Sequence, residues 1–169
     1  AQTNVYEDGT EERAYPYANI FSHVVGYDSN GKSGLESEAN FLLLTSHEFF
    51  LNQMKNEFKS QKNMGDTVVS TLNADLQTTA YQALGDRRGA VVAIEPSTGK
   101  ILVEVSKPDF DPNTIAQNWE ALVNDQNDSS LLNRATNGAY PPGSVFKIVT
   151  ALDYFRTRGT LEDFSYLCE

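Results

Sequence analysis

Cysteine, histidine and tryptophan are scarce in this sequence. Its 169 residues include one tryptophan, one cysteine, Cys168, and two histidines, His23 and His47. A single cysteine excludes an internal disulfide, and two histidines with no cysteine near either of them give little support to a metal site. We therefore expect no metal and no other cofactor.

Long apolar runs and positive charge are also scarce. No run approaches the roughly 18 apolar residues that cross a bilayer, and nothing at the start of the chain reads as a signal peptide. Thirteen Lys and Arg stand against 23 Asp and Glu, which gives a formal net charge of −10. So acidic a chain is a poor partner for nucleic acid or for an anionic membrane surface.

The composition is that of a globular protein. Hydrophobic residues make up 40% of the chain, and they include nine Phe and eight Tyr, which favours a packed core over disorder. The length allows one ordinary domain, or a small domain and part of another. We place a boundary in the polar stretch near residue 62. This predicts a small N-terminal linker subdomain, 1–62, and a second domain over 63–169.

The N-terminal region contains a pattern that is typical of nucleotide-binding proteins. Residues 26–33 read GYDSNGKS and fit G-x-x-x-x-G-K-[ST]. A short strand is predicted before them, over 21–25. Helix is predicted after them, and it includes an amphipathic helix over 45–60. Against phosphate binding, Asp28 and Glu36 make the loop acidic, and no alternation of strands and helices follows. Nucleotide binding is therefore the weakest of the functional hypotheses.

Regular structure is predicted on both sides of the middle of the chain. Residues 68–72 include three β-branched side chains, Val68, Val69 and Thr71, and predict a strand. Asn73 is a suitable cap for the helix that follows, and Gly85 is a suitable end for it. A second, short helix is predicted over 115–123.

A β-hairpin is predicted between these helices. Residues 89–95 and 100–106 face each other across a Pro-Ser-Thr-Gly turn. Residues 90–94 of the first strand are apolar throughout, so we expect it to be central, and Glu104 of the second is expected to point outward. A hairpin with helices before and after it indicates an α+β fold with an incomplete antiparallel sheet and flanking helices.

The stretch 139–159, AYPPGSVFKIVTALDYFRTRG, predicts a rigid turn that leads into a helix. Two prolines fix φ, and Gly143 then supplies a flexible joint. From Val145 onward apolar residues recur at helical spacing, and Gly159 is a natural C-terminal stop.

Ser144 is expected at the N-cap position of this helix, with Lys147 about one turn further on the same face. A hydroxyl and an amine stacked in this way can exchange a proton, and the positive end of a helix favours an oxyanion nearby. An amine in its neutral form would then be a base beside a nucleophile. Ser144 and Lys147 are thus candidate catalytic residues.

The pattern Ser-x-x-Lys is short, and it also occurs at Ser29 and Ser97. Both of these lie in glycine-containing turns with no apolar helix behind them, unlike Ser144. On the pattern alone, an ordinary N-cap serine with a solvated lysine explains Ser144 as well as a nucleophile and its base do.

The longer string YPPGSVFKIVTAL, which begins at Tyr140, resembles the active-site segment of the penicillin-binding proteins, the serine D,D-transpeptidases that cross-link peptidoglycan. Residues 89–113 are similar to that family's hairpin and the loop after it, and 131–147 to its approach to the nucleophile. Residues 23–36 resemble the linker before the transpeptidase domain of class B, monofunctional members. The resemblance implies the start of the penicillin-binding/β-lactamase-like fold, whose core is an antiparallel sheet with helices on both faces.

For the parent protein, by which we mean the longer protein that we expect this chain to come from, the resemblance implies an acyl-enzyme on Ser144 with Lys147 as the base. The implied substrate is the stem peptide of peptidoglycan, and β-lactam antibiotics would acylate the same serine. A membrane anchor, a place on the extracytoplasmic face of the bacterial cell membrane and a glycan polymerase as partner are implied as well. The start of the chain looks like a cut inside a longer protein, so we expect the anchor to be absent from it.

The chain departs from the family's pattern after the nucleophile. Ser-x-Asn is missing, and Lys32-Ser33-Gly34, which spells the family's Lys-Thr/Ser-Gly motif, precedes Ser144 and lies in a loop. We therefore expect this chain by itself to be inactive or nearly so. The rival hypothesis is a non-catalytic module in which 1–62 binds the cell wall or the divisome. Asn133 and Arg134 match a polar pair before the family's active site, and we interpret them as a helix-capping Asn and an ion-pairing Arg.

Overall fold

The computed structural model of this chain describes residues 1–46 and 65–160, and the single positions 54, 56, 58, 162 and 165. By compactness the chain divides into two units, Ala1–Gly138 and Ala139–Glu169. Most of the predicted amphipathic helix over 45–60 lies outside the described residues. The boundary near residue 62 stays a prediction. No helix of the described part of the chain is long and apolar enough to cross a membrane.

Short elements make up the N-terminal part of the first unit. They are the antiparallel strands β1 and β2, a 3-10 turn and three short helices: β1 Gln2–Val5, β2 Glu11–Ala14, 3-10 Ala18–Phe21, α1 Ser22–Val25, α2 Gly34–Glu38 and α3 Asn40–Leu44. The predicted strand over 21–25 is wrong, because the 3-10 turn continues directly into α1. Two consecutive residues, Ser22 and His23, are both buried, which a helical turn allows and the alternation of a strand does not.

A partly buried ion pair attaches the β1–β2 hairpin to α2. The Arg13 guanidinium lies 2.7 Å from Glu36 Oε1, and its Nε donates to the same oxygen at 2.8 Å. Glu36 is only 3% exposed. Its carboxylate is thus occupied by a cation of the same chain.

Helix α4 (Ala74–Leu84) begins and ends as predicted. The side chain of Asn73 accepts hydrogen bonds from the backbone N–H groups of Asp75 and Leu76, and Gly85 ends the helix with a positive φ. The predicted strand over 68–72 is absent from the described residues. Instead, Thr71 donates to the Ile101 carbonyl through its hydroxyl, at 2.7 Å, so this segment is held by isolated bonds and not by a ladder.

The predicted hairpin is confirmed. Strands β3 (Gly89–Ile94) and β4 (Ile101–Lys107) are antiparallel. Within the described residues β3 pairs with β4 alone, and its Val92 is 47% exposed, so it is an edge strand here and not the expected central one. In β4, Val103 and Val105 are almost fully buried.

Glu104 does not point into solvent as expected. It is half-buried, and its Oε1 accepts a hydrogen bond from Asn133 Nδ2 at 2.8 Å. The pleat of β4 still places it on the opposite face from Val103 and Val105.

The amide of Gln77 joins three parts of the first unit. Its Nε2 donates to the carbonyls of Ile20 and Glu104, at 2.9 and 2.7 Å, and its Oε1 accepts from the Glu104 N–H at 2.9 Å. Gln77 is completely buried. Each of its polar atoms is paired, as burial of an amide requires.

The loop after β4 and helix α5 (Ile115–Asn124) close the core on the other side. Phe110 and Ile115 are 4% and 1% exposed, and the helix confirms the prediction over 115–123. Phe110 meets the rings of His23 and Tyr27 edge-on, at centroid distances of 5.2 and 5.7 Å. The described elements together form the predicted α+β arrangement, with antiparallel strand pairs and flanking helices.

Replacing Gln77 by alanine is expected to lower the free energy of unfolding by about 3 kcal/mol, since three buried backbone groups lose their partners. Urea denaturation followed by circular dichroism measures this. Gln82→Ala, on the exposed side of the same helix, is the matched control and should change stability by less than about 0.5 kcal/mol. Equal effects in the two variants would contradict the role assigned to the Gln77 amide.

We predict that the burial of His23 makes the protein less stable in mild acid. Burial lowers the pKa of His23 below its ordinary 6.5, so the unfolded chain takes up a proton at a pH where the folded chain does not. The free energy of unfolding should therefore be constant above the unfolded pKa and fall below it, with a slope of at most about 1.4 kcal/mol per pH unit for this group.

The measurement is urea denaturation between pH 5 and 7.5, on the unsubstituted chain and on its His23→Gln variant. The glutamine retains a donor for the Pro108 carbonyl, which His23 Nε2 reaches at 3.1 Å, but it does not titrate. The difference between the two profiles isolates His23, since all other groups titrate in both proteins. Parallel profiles would contradict the prediction.

Candidate active site

The second unit presents Ser144 on a tight turn before a long helix. A 3-10 turn, Gly143–Val145, leads directly into α6 (Phe146–Arg158). Pro142 has φ −67°, and its carbonyl accepts from the Val145 N–H at 3.2 Å. The prolines thus pre-set the helical turn that carries the serine.

Ser144 lies inside the 3-10 turn and not at an N-cap position. Pro142 is the cap of the turn and Val145 that of α6, and neither start has a side-chain cap bond. The expected N-cap role is therefore wrong. The reason is that the 3-10 turn already begins at Gly143, whose φ is 53°, so the serine lies within the turn and not before it.

Lys147 follows in the first turn of α6, three positions after Ser144. Residues at this spacing lie on the same helical face, as predicted. Both side chains are exposed, and neither makes a hydrogen bond or ion pair with any other described residue. The pair is open to a ligand from solvent.

The end of α6 matches the prediction. Gly159 is left-handed at φ 76°, and its N–H donates to the Phe155 carbonyl at 2.7 Å. The apolar stripe of the helix is present at the expected spacing, but the described part of the chain leaves it exposed: Val145, Ile148, Val149, Leu152 and Phe155 are between 50% and 68% accessible. The helix thus presents an apolar face as well as the Ser144–Lys147 pair.

Arg134, in the segment before the nucleophile, is bonded to the backbone of nearby residues. Arg134 is 5% exposed, and its guanidinium donates to the backbone carbonyls of Asp128, Ser129 and Leu132. The interpretation of Arg134 as an ion-pairing residue is therefore wrong, because backbone carbonyls take all of these bonds within the described residues.

Asn133 does not cap a regular helix either. Its Oδ1 accepts from the Ala135 N–H at 3.0 Å, and its Nδ2 donates to Glu104. Ser106 of β4 is a second partner of this segment, since its Oγ accepts from the Arg134 N–H at 2.9 Å. Sequence reasoning missed both β4 partners, Glu104 and Ser106. Their alternation with Val103 and Val105 was the available signal.

The other two Ser-x-x-Lys sites are turns, as predicted. Ser29 is followed by Asn30 and Gly31, both with positive φ. Ser97 lies in the β3–β4 turn, where the Gly99 N–H donates to the Glu95 carbonyl at 2.8 Å. Neither serine begins a helix that carries its lysine.

The nucleotide-binding pattern loses its structural basis. Its predicted strand is helical, and α2 after it is five residues long. Gly26 and Gly34 are required for a different reason: a Cβ on Gly26 would lie 1.9 Å from the Ser33 carbonyl oxygen, and one on Gly34 would lie 2.7 Å from that of Val24. The loop closes by backbone contact, which also explains the glycine of Lys32-Ser33-Gly34.

Metal ligands do not converge in the part of the chain that the structure covers. No group of three His, Cys, Asp or Glu side chains is close enough there to hold an ion. His47 and Cys168 lie outside the described residues.

Two family models match the chain. Residues 89–157 match the penicillin binding protein transpeptidase domain. Residues 1–68 match the penicillin binding protein A dimerisation domain. The first match contains the β3–β4 hairpin, residues 131–138 before the nucleophile turn, and the Ser144–Lys147 pair.

Relatives with assigned names agree with these matches. The chain is 40% identical over 154 residues to the peptidoglycan D,D-transpeptidase PbpA of Mycolicibacterium smegmatis, with 82% of this chain and 31% of the relative covered. It is 31% identical over 180 residues to the peptidoglycan D,D-transpeptidase MrdA of Escherichia coli, with 85% of this chain and 28% of the relative covered. The chain thus spans about a third of the length of these relatives.

The structure matches solved penicillin-binding proteins. The penicillin G acyl-enzyme complex of penicillin-binding protein A from M. tuberculosis superposes with a TM-score of 0.81 at 31% identity, covering 94% of this chain and 40% of the other. A D,D-transpeptidase domain from Eggerthella lenta gives a TM-score of 0.79 at 36% identity, covering 95% of this chain and 35% of the other. The family models, the named relatives and the solved structures all indicate the same family. The chain belongs to the penicillin-binding proteins, the family of the peptidoglycan D,D-transpeptidases.

Proposed function

We propose that this chain is the nucleophile-bearing part of a serine D,D-transpeptidase, with Ser144 as the nucleophile and Lys147 as its base. The observation that carries the proposal is the exposed pair itself, held on a proline-fixed turn within the transpeptidase match. Activation of a serine by a neighbouring base is the general requirement for nucleophilic catalysis by a hydroxyl.

In the proposed reaction, Ser144 Oγ attacks the carbonyl carbon of the penultimate D-Ala of a stem peptide while Lys147 Nζ takes the hydroxyl proton. The tetrahedral intermediate collapses, the peptide bond breaks, and terminal D-Ala leaves with a proton on its amine. The acyl group stays as an ester on Ser144. An amine of a neighbouring stem peptide then attacks the ester, forms the cross-link and frees the serine.

The turn offers a place for the negative charge of that intermediate. The backbone N–H of Ser144 would donate to the oxyanion, and a donor in this role is worth roughly 3–4 kcal/mol of barrier. A β-lactam reacts by the same attack. Its ring amide opens, but the nitrogen remains attached to the acyl group, so no leaving group departs and the ester persists.

The remaining expectations about the parent protein follow from the same proposal. Its substrate, peptidoglycan, lies outside the membrane, so the transpeptidase domain would work on the extracytoplasmic face. A membrane anchor and a glycan polymerase as partner belong to the proposal too. What supports them is that the named relatives are peptidoglycan D,D-transpeptidases, which act in cell-wall synthesis.

A second candidate function concerns the N-terminal region. Residues 1–68 match a dimerisation domain, which favours a binding role for this part of the chain. The module would contact other cell-wall or divisome proteins without chemistry of its own.

Penicillin labelling tests the catalytic assignment. In the full gene product, incubation with benzylpenicillin should add one adduct by intact mass, and Ser144→Ala should abolish it. Lys147→Ala should lower the acylation rate by about 10²–10⁴-fold, the usual contribution of a general base.

The Ser-x-x-Lys turn at Ser97 provides matched controls for this experiment. Ser97→Ala and Lys100→Ala remove the same atoms from a turn with the same spacing, and they should be acylated at the parent rate. An adduct that persists in Ser144→Ala, or is absent from the unmodified protein, would remove the transpeptidase proposal and favour the binding module.

The isolated chain should behave differently from the full gene product. Ser-x-Asn and a Lys-Thr/Ser-Gly motif after the nucleophile are missing from these 169 residues, so the proton relay and the carboxylate-binding strand of the family are missing too. We expect no benzylpenicillin adduct on the chain alone after the time that saturates the longer protein. Equal labelling of the two would show that Ser144 and Lys147 suffice for acylation.

A further inference from the structure

We propose that Gly143 is a positioning residue for acylation at Ser144, because its left-handed backbone keeps the Ser144 N–H free for an oxyanion. The proposal deepens the function proposed above and rests on it. It concerns the second unit alone, in which both residues lie. Gly143 itself needs no contact with the substrate.

Gly143 has a backbone conformation that other residues rarely adopt. Its φ is 53°, in the left-handed region where a Cβ comes too close to the following carbonyl oxygen. Space is not the reason for a glycine here. A Cβ on Gly143 would meet no atom of the described residues within 4 Å, beyond its neighbours in the chain. The requirement for glycine is therefore one of backbone conformation alone.

The residues before Ser144 favour a different turn, which would occupy its N–H. Pro142 has φ −67° and ψ −22°, the angles of the first central residue of a type I turn, where proline is favoured. To complete such a turn over 141–144, Gly143 would need a φ of about −90°. The Ser144 N–H would then donate to the Pro141 carbonyl, because the turn closes between its first and fourth residues.

The positive φ of Gly143 prevents this turn and moves the first bond one residue along the chain. The Val145 N–H donates to the Pro142 carbonyl at 3.2 Å, and the Phe146 N–H donates to the Gly143 carbonyl. Among the residues that the structure describes, the Ser144 N–H has no hydrogen-bond partner, as is usual for the first donors of a helical path. Ser144 thus carries both the hydroxyl and a free backbone donor.

A free donor at Ser144 matters for the rate of the proposed acylation. Negative charge develops on the oxygen of the attacked carbonyl, and a backbone N–H that is already available there stabilises the transition state. An N–H that is bonded to the Pro141 carbonyl would be lost for this purpose. Because the charge is absent from the first complex, the conformation of Gly143 should affect the acylation rate constant and not the first binding step.

The experiment is benzylpenicillin acylation of the full gene product, with the acylation rate constant and the dissociation constant of the first complex measured separately. Gly143→Ala should lower the rate constant about tenfold, the change in population that the cost of a left-handed alanine allows. The dissociation constant should not change. Gly143→Asn should stay within about threefold of the unmodified protein, because asparagine tolerates the left-handed region.

Two comparisons separate backbone conformation from size and from general damage. Asparagine is larger than alanine, so a steric role for Gly143 would make Gly143→Asn the slower variant. Gly159→Ala is the matched control, since Gly159 is also left-handed, at φ 76°, with open space around a Cβ, but ends α6. It should leave the rate constant unchanged. An unchanged rate in Gly143→Ala, or equal losses in Gly143→Ala and Gly143→Asn, would overturn the proposal.

Hydrogen exchange of the same proteins tests the structural half independently. Pro141 and Pro142 have no amide hydrogen, so a peptide over 141–146 reports on Gly143 and the three residues after it. This peptide should exchange more slowly in Gly143→Ala than in the unmodified protein and in Gly143→Asn, because the Ser144 N–H becomes paired. Unchanged exchange would overturn the proposed control of that N–H.

The two measurements also distinguish this proposal from the function on which it rests. An unmodified protein that is not acylated at all would remove the proposed function. The exchange result would still show whether Gly143 decides the pairing of the Ser144 N–H.

Discussion

The amide of Gln77 is the interaction on which the first unit depends. A completely buried amide must pair every polar atom, and this one does so with the 3-10 turn near Ile20 and with both backbone groups of Glu104. The N-terminal region, helix α4 and strand β4 therefore meet at a single side chain. Packing of apolar residues alone has no comparable direction, because apolar contact is not oriented.

The three Ser-x-x-Lys sites show how local backbone, and not residue spacing, decides chemistry. In two of them glycine-containing turns with positive φ separate the hydroxyl from any helix. At Ser144 the glycine with positive φ precedes the serine, and the residues after the serine are helical, so the lysine follows on the same face. The same four-letter pattern thus gives two solvated turns and one candidate nucleophile with its base.

Sequence reasoning succeeded where local rules decide the structure. The Asn73 cap, the β3–β4 turn and the Gly159 stop each depend on a few neighbouring residues. It was wrong where distant contacts decide. The segment 21–25 is helical because it continues a turn whose Ile20 carbonyl is bonded to Gln77, and 68–72 is held to β4 by the Thr71 hydroxyl. No spacing rule places Glu104 beside Asn133, since 29 residues separate them in sequence.

Asn113 has a consequence for the chemical ageing of this protein. Its side-chain amide pairs with both backbone groups of Tyr15: Oδ1 accepts from the N–H at 2.9 Å and Nδ2 donates to the carbonyl at 3.1 Å. It acts as a detached peptide group, and the same Nδ2 also faces the Asp111 carboxylate at 2.8 Å. Deamidation would replace that donor with a third acceptor and a second negative charge, so spontaneous loss of one ammonia would release the chain around Tyr15 from the loop after β4.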